Sequence, residues 1–90
     1  MEIFQTPTFK KQTKKLHKNQ KRDLDKVIKK TVNDPLVGNI KKGDFNGVRV
    51  YKFKMAKQLM LLGYEFYEND MVLVMLSLGS HENFYKDLKK

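Results

Sequence analysis

Apolar and polar residues follow a helical period in the first third of this chain and alternate in the last half. Leu24, Val27, Ile28, Thr31 and Val32 recur at the three-and-four spacing of one helix face, with Lys21, Arg22, Lys26, Lys29 and Lys30 mostly off it. That spacing predicts a helix over residues 20–33. Asp34-Pro35 ends it, because the residue before a proline disfavours helical geometry. Upstream, Thr6-Pro7 reads as a cap followed by a first-turn proline, starting a helix over about residues 7–17. Its apolar stripe is thin: Phe9, Thr13 and Leu16, among Lys10, Lys11, Lys14, Lys15 and Lys18. Such a stripe is stable only against a partner. With His17-Lys18-Asn19 as a short connection, the two helices form a basic hairpin whose apolar seam must cover a sheet.

The rest of the chain supplies the sheet. Residues 1–5 read as an edge strand. Residues 36–46 read as loop, punctuated by glycines. Residues 48–55 alternate, with Tyr51, Phe53 and Met55 on one face and Val50, Lys52 and Lys54 on the other. Residues 59–67 and 71–78 are two further strands, joined by a tight turn at Glu68-Asn69-Asp70. The third strand is apolar on both faces, Leu73 and Met75 against Val72, Val74 and Leu76. Its second face therefore needs cover, from the C-terminal segment or from a partner. Residues 82–90 read as a short helix or a frayed tail. The expected fold is α+β, one domain over residues 1–90. It has an N-terminal basic helix hairpin packed on a three- to four-stranded antiparallel sheet.

Charge changes the picture. The chain carries 19 lysines and arginines against 10 acidic residues, a formal net charge of +9. An excess of that size favours nucleic acid or an acidic protein as partner, although a basic surface can also serve solubility alone. There is no cysteine, which excludes disulfides, thiol catalysis and cysteine-bound zinc. No apolar run approaches the ~20 residues of a membrane span. The opening Met1-Glu2-Ile3-Phe4 is too short and too acidic for a secretory signal, so a cytoplasmic protein is expected.

Two groups of residues carry candidate chemistry. Lys52 and Lys54 are two apart on a strand, so both ammonium groups leave the same face and form a phosphate-sized patch. A solvated strand face shows the same alternation. Arg49 and Lys57 flank the pair and extend the set of candidate phosphate ligands. In the second group, Leu76-Ser77-Leu78-Gly79-Ser80-His81 leads an apolar strand to a glycine and then a histidine, with Tyr85 four residues on. In a helix, His81 and Tyr85 share a face. Histidine exchanges protons near neutral pH, and a phenol can orient or donate. A capping histidine and an anchoring tyrosine fit the same spacing. Acidic residues do not cluster with histidine, so no metal is expected, and no cofactor. Neither a glycine-rich phosphate loop nor a serine-nucleophile elbow is present.

In its order of elements the chain resembles the RelE/ParE superfamily of bacterial type II toxins. The resemblance spans nearly the whole chain. Its most specific parts are Val50-Tyr51-Lys52-Phe53-Lys54-Met55 and Leu78-Gly79-Ser80-His81-Glu82-Asn83-Phe84-Tyr85. RelE-like members are metal-independent mRNA interferases that enter the ribosomal A site. There the ribose 2′-hydroxyl attacks the adjacent phosphate. The resemblance implies that Lys52 and Lys54 stabilise charge at the scissile phosphate. It implies that His81, similar to the C-terminal histidine of YafQ-like members, is general acid or base. Tyr85 would stack on a base or aid proton transfer. One departure stands out. RelE-like enzymes commonly carry an arginine just before an apolar-apolar-tyrosine run, whereas this chain reads Leu59-Met60-Leu61-Leu62-Gly63-Tyr64. Lys57 or Gln58 would have to substitute, and lysine lacks the planar fork of arginine.

Three functions remain open on this reading. The first is a ribosome-dependent mRNA interferase, an endoribonuclease whose partners are the ribosome and mRNA. The second is a ParE-like toxin acting on DNA gyrase without nuclease activity. The third is a non-catalytic basic module that binds RNA or protein. Both toxin readings imply a cognate antitoxin with an acidic or amphipathic segment that folds on binding.

Overall fold

The computed structural model describes residues 1–88, so the predicted helix or tail over 82–90 is described except for its last two positions. The elements are β1 (Glu2–Gln5), α1 (Pro7–Lys14), α2 (Lys18–Asn33), β2 (Asn39–Ile40), a 3-10 turn (Gly43–Phe45), β3 (Arg49–Met55), β4 (Gln58–Tyr67), β5 (Val72–Ser80) and α3 (His81–Leu88). The sheet has five strands in the order β1-β5-β4-β3-β2. Its centre, β3-β4-β5, is antiparallel as the alternation predicts. Two edges add to it. β1 pairs with β5 in parallel, and the two residues of β2 pair with the start of β3. The sheet is therefore mixed and five-stranded. Neither edge pairing leaves a mark in local periodicity, since each is set by a partner distant in the chain.

One face of the sheet carries the helix hairpin. Phe9 of α1 and Leu24 of α2 meet Met55, Met60, Leu62, Tyr64, Leu73, Met75 and Leu78 in the larger core, with Tyr51 and Phe53 at its margin. Burying such side chains stabilises the fold by roughly 1.5–3 kcal/mol each. Thr6 starts α1 as predicted. Its Oγ1 accepts from the Phe9 N–H at 3.1 Å and donates to the Leu76 carbonyl at 2.7 Å. α1 stops at Lys14, earlier than the apolar stripe suggested, and α2 begins at Lys18. His17 precedes α2, and its backbone N–H donates to Gln20 Oε1 at 2.7 Å.

The opposite face is covered by α3. Phe84, Val48, Val50 and Leu61 form a second buried cluster, joined by Phe45, Leu76, Tyr85 and Leu88. The C-terminal segment thus provides the cover that the doubly apolar β5 required. A missing side chain makes the close approach possible. A methyl group on Gly63 would lie 2.6 Å from the Phe84 ring tip. Phe84 is 0% exposed, seated where β4 has only a hydrogen atom. Beside it the ladder is irregular. Gly63 and Tyr64 face Ser77 and Met75, leaving Leu76 as the extra residue of a bulge.

A buried phenol fastens the loop after α2. Tyr64 Oη donates to the Pro35 carbonyl at 2.7 Å and accepts from the Gly38 N–H at 2.9 Å. Burial raises its pKa above the usual value of 10.0, with the Gly38 hydrogen bond and the Arg49 charge opposing. A phenol whose folded-state pKa is raised contributes stability that is intact below the unfolded value and is lost as pH climbs through the folded one. Tyr64→Phe should cost about 1–3 kcal/mol, because the buried Gly38 N–H loses its acceptor. Urea titrations at neutral pH and above pH ~10 check this, and the variant should lack the alkaline loss that ionisation of Tyr64 causes in the parent. Gly63→Ala should cost about 1–3 kcal/mol through overpacking against Phe84. Amide exchange should then speed up in α3 and leave the helix hairpin nearly unchanged.

Candidate functional site

The β3 ladder fixes where the lysines go. Lys52 faces Leu61 of β4, which faces Gly79 of β5, and Lys54 faces Leu59. Cross-strand partners share a face. That face is the one α3 lies on, since Val50 and Leu61 pack beneath Phe84. At the usual strand spacing of ~4.8 Å, about 10 Å separates the Lys52 and Gly79 backbones. His81 follows Ser80, which stands in the row Phe53–Met60–Ser80, so the start of α3 is level with Lys54 and Leu59. Lys52, Lys54 and His81 are all exposed. Leu59 is 47% exposed, pairs with Lys54 and is level with the start of α3. The structure thus places the lysine pair and the imidazole on one face and at one end of the sheet.

Tyr85 stands beside His81 as the four-residue spacing predicted, its ring 6.4 Å away and edge-on. It also packs at 5.4 Å from the Phe45 ring and 5.0 Å from Phe84, and is half-buried. Its apolar body therefore anchors α3 while its edge borders the imidazole.

Lys57 occupies the tip of the β3–β4 hairpin, at the same end of the sheet. Met55 pairs with Gln58, so the loop has two residues, Ala56 and Lys57, both left-handed at φ 49° and 73°. A two-residue hairpin of this kind favours asparagine and glycine. Here a methyl-bearing residue and a lysine hold it, and Asp23 of α2 fixes the turn by accepting the Ala56 N–H at 2.8 Å.

Arg49 does not join the group. It is in step with Tyr51, Phe53 and Met55, opposite in parity to the two lysines. Its Nη1 donates to the carbonyls of Gly38 at 2.9 Å and Leu36 at 3.3 Å, on the loop that Tyr64 fastens. Its place among the candidate phosphate ligands is corrected accordingly. The two-residue period already separated it from Lys52 and Lys54.

The position just before Leu62-Gly63-Tyr64 is Leu61, 0% exposed and packed with Phe84. A guanidinium there would have to displace α3 or be buried without a partner. The missing arginine and the docked helix are two aspects of one packing arrangement.

Gln12 of α1 was not singled out by the sequence. Its Oε1 accepts from the Leu78 N–H at 2.6 Å, and its Nε2 donates to Ser77 Oγ at 3.1 Å and Asp87 Oδ2 at 3.4 Å. One side chain thus closes the outer edge of β5 beyond β1 and ties α1 to α3. A polar residue in step with the apolar stripe was the available signal. Three hollows among the described residues are lined by none of Lys52, Lys54 and His81. They are bounded by α1 and α2, by α1 and α3, and by Thr6, Leu76 and Leu88. Among the described residues, no group of three or more histidines and carboxylates is placed to hold a metal. No helix among them is long and apolar enough to cross a membrane.

The fold, α+β with three helices and a five-stranded mixed sheet, matches that of solved RelE structures. Residues 3–89 match the family described as the ParE-like toxin of type II bacterial toxin-antitoxin systems, and the chain belongs to that family. It is a toxin of a type II toxin–antitoxin system. Its fold is similar to a chain of the intact Escherichia coli RelBE toxin-antitoxin complex, with a TM-score of 0.70 at 19% identity over 88% of this chain and 94% of that one. The isolated E. coli RelE toxin gives 0.69 at 17% identity, over 88% and 82%. The Mycobacterium tuberculosis RelBE2 complex gives 0.67 at 19% identity, over 89% and 96%. No curated protein matches the sequence.

Lys57→Gly relieves a left-handed side chain and should raise stability by about 1 kcal/mol. If Lys57 also meets phosphate, the same variant should bind single-stranded RNA more weakly. Thermal unfolding and RNA-binding titrations made on one preparation check both signs.

Proposed function

We propose that this toxin is a metal-independent, ribosome-dependent mRNA interferase. The observation that carries the reading is the placement of Lys52, Lys54 and His81 on one face at one end of the sheet. Lys52 and Lys54 take the scissile phosphate and stabilise the charge that grows on it. His81 moves a proton, either from the attacking 2′-hydroxyl or to the leaving 5′-oxygen. Tyr85 keeps the imidazole in place from its edge, and Lys57 reaches the backbone from the hairpin tip. Leu59 offers an apolar surface on which a base can rest. The partners on this reading are the ribosome, mRNA and a cognate antitoxin, in the cytoplasm. The antitoxin reading is supported by the family and by the complexes in which the similar folds occur. Its expected chemistry is an acidic or amphipathic segment.

One observation favours a second reading. Leu61 fills the place where RelE-like enzymes commonly carry an arginine. A ParE-like toxin that poisons DNA gyrase by protein contact has no need of that cation.

One experiment separates them: express the toxin, then follow transcript integrity and gyrase-linked DNA breaks in the same culture. The interferase reading expects cut mRNA and intact DNA. His81→Ala combined with Tyr85→Ala should lower the cleavage rate by about 10²–10⁴. Intact transcripts with broken DNA would replace the reading with the gyrase one. Full cleavage by the double variant would remove His81 and Tyr85 from the chemistry.

A further inference from the structure

α3 is a ridge with basic groups on both sides. Tyr85, with His81 beside it, lies on the side of Phe45 and the start of β3, whereas Asn83 and Asp87 lie toward α1. Between α1 and α3 runs a cleft of about 580 Å³, within the range that small ligands fill. Its floor is the end of β5 at Leu78, Gly79 and Ser80. Lys11 and Lys15 line the α1 wall, one helical turn apart and both exposed. Asn83 lines the other wall with a side-chain amide that can both donate and accept.

The cleft is electrically lopsided. Asp87 and Thr8 also line the third hollow, beside Thr6 and Leu76, so they mark its far end. Asp87 receives Gln12 Nε2 there at 3.4 Å. The opposite end, at Lys15, Ser80 and Asn83, adjoins the start of α3 and therefore His81. An anion entering the cleft is repelled from the carboxylate end and drawn to the end next to the histidine.

We infer that this cleft binds the nucleotide next to the cleaved one, with its phosphate on Lys11 and Lys15 and its base edge on Asn83. The inference rests on the reading of an RNA target and adds a second seat for the same strand. That strand then passes over the N-terminal end of α3, with one phosphate on the Lys52–Lys54 side and its neighbour on the α1 side. A polar cleft of this kind suits a nucleotide better than an amphipathic helix, which needs an apolar floor. Leu78 is the one aliphatic side chain lining it, and it is buried.

The test is binding of a fluorescent, uncleavable 2′-O-methyl oligoribonucleotide to the purified toxin across a series of salt concentrations. Lys11→Gln with Lys15→Gln should weaken binding about tenfold at moderate salt. It should also lower the slope of log affinity against log salt by about 0.7, as expected for one lost phosphate contact on a single strand. Lys26→Gln with Lys29→Gln removes the same charge from α2 and should leave the slope unchanged. A Glu-rich peptide should bind the parent at least about tenfold more weakly than the oligonucleotide. The inference is overturned if the Lys11/Lys15 variant keeps the parent slope, or if the α2 control loses as much. It is equally overturned if the acidic peptide binds as tightly as RNA and depends on the same two lysines. Cleavage of translated mRNA is scored separately. Normal cleavage with an unchanged slope removes the cleft and spares the nuclease. A lost slope in a toxin that cuts nothing removes the nuclease and spares the cleft.

Discussion

The contact of Phe84 with the bare backbone of Gly63 decides where the candidate site can be. A helix docks closely on a sheet only where one side leaves room, and β4 leaves it at Gly63. Phe84 fills that space and Leu61 lies fully buried beside it. The start of α3 is thereby held at the end of β5, and His81 with it. Without this docking, the histidine would ride on a loose tail, and its relation to Lys52 and Lys54 would be lost. Catalytic groups need support of this kind, because a small misplacement costs orders of magnitude in rate.

The docking has a chemical consequence. The middle of the sheet face is dry and apolar, so charge is confined to its margin: Lys52 and Lys54 on β3, Lys57 at the hairpin tip, His81 at the start of α3. An anionic strand would lie along that margin. Gln12 reinforces the frame from the other side, since one amide serves the open edge of β5 and the carboxylate of α3 together. The hairpin tip shows the opposite economy, two left-handed residues without glycine. Backbone strain of this sort is often found at functional margins.

Much of this was legible in the sequence. The helical spacing of Leu24, Val27, Ile28, Thr31 and Val32 gave α2, and Asp34-Pro35 gave its end. Alternation in residues 48–55 put Lys52 and Lys54 on one face, but Arg49 was grouped with them by nearness in the chain, and its hydrogen bonds to Leu36 and Gly38 became visible only in the structure. The doubly apolar β5 announced that something must lie on its second face. Other features were not readable. The parallel pairing of β1 with β5 joins the two ends of the chain, and no local pattern encodes it. The bulge at Leu76 is a register event between strands. Gln12 shows in the sequence only as a polar residue in step with an apolar stripe, and its partners, the Leu78 N–H and the Asp87 carboxylate, lie far off in the chain.

The central claim is that one anionic strand meets the lysine pair and the imidazole together. Titration of the toxin with an uncleavable 2′-O-methyl oligoribonucleotide, followed by NMR on the His81 ring and the Lys52 and Lys54 side chains, tests it most directly. The account predicts that all three sets of resonances move along one binding curve with a common dissociation constant. A His81 ring that stays unmoved while the lysines saturate would contradict it.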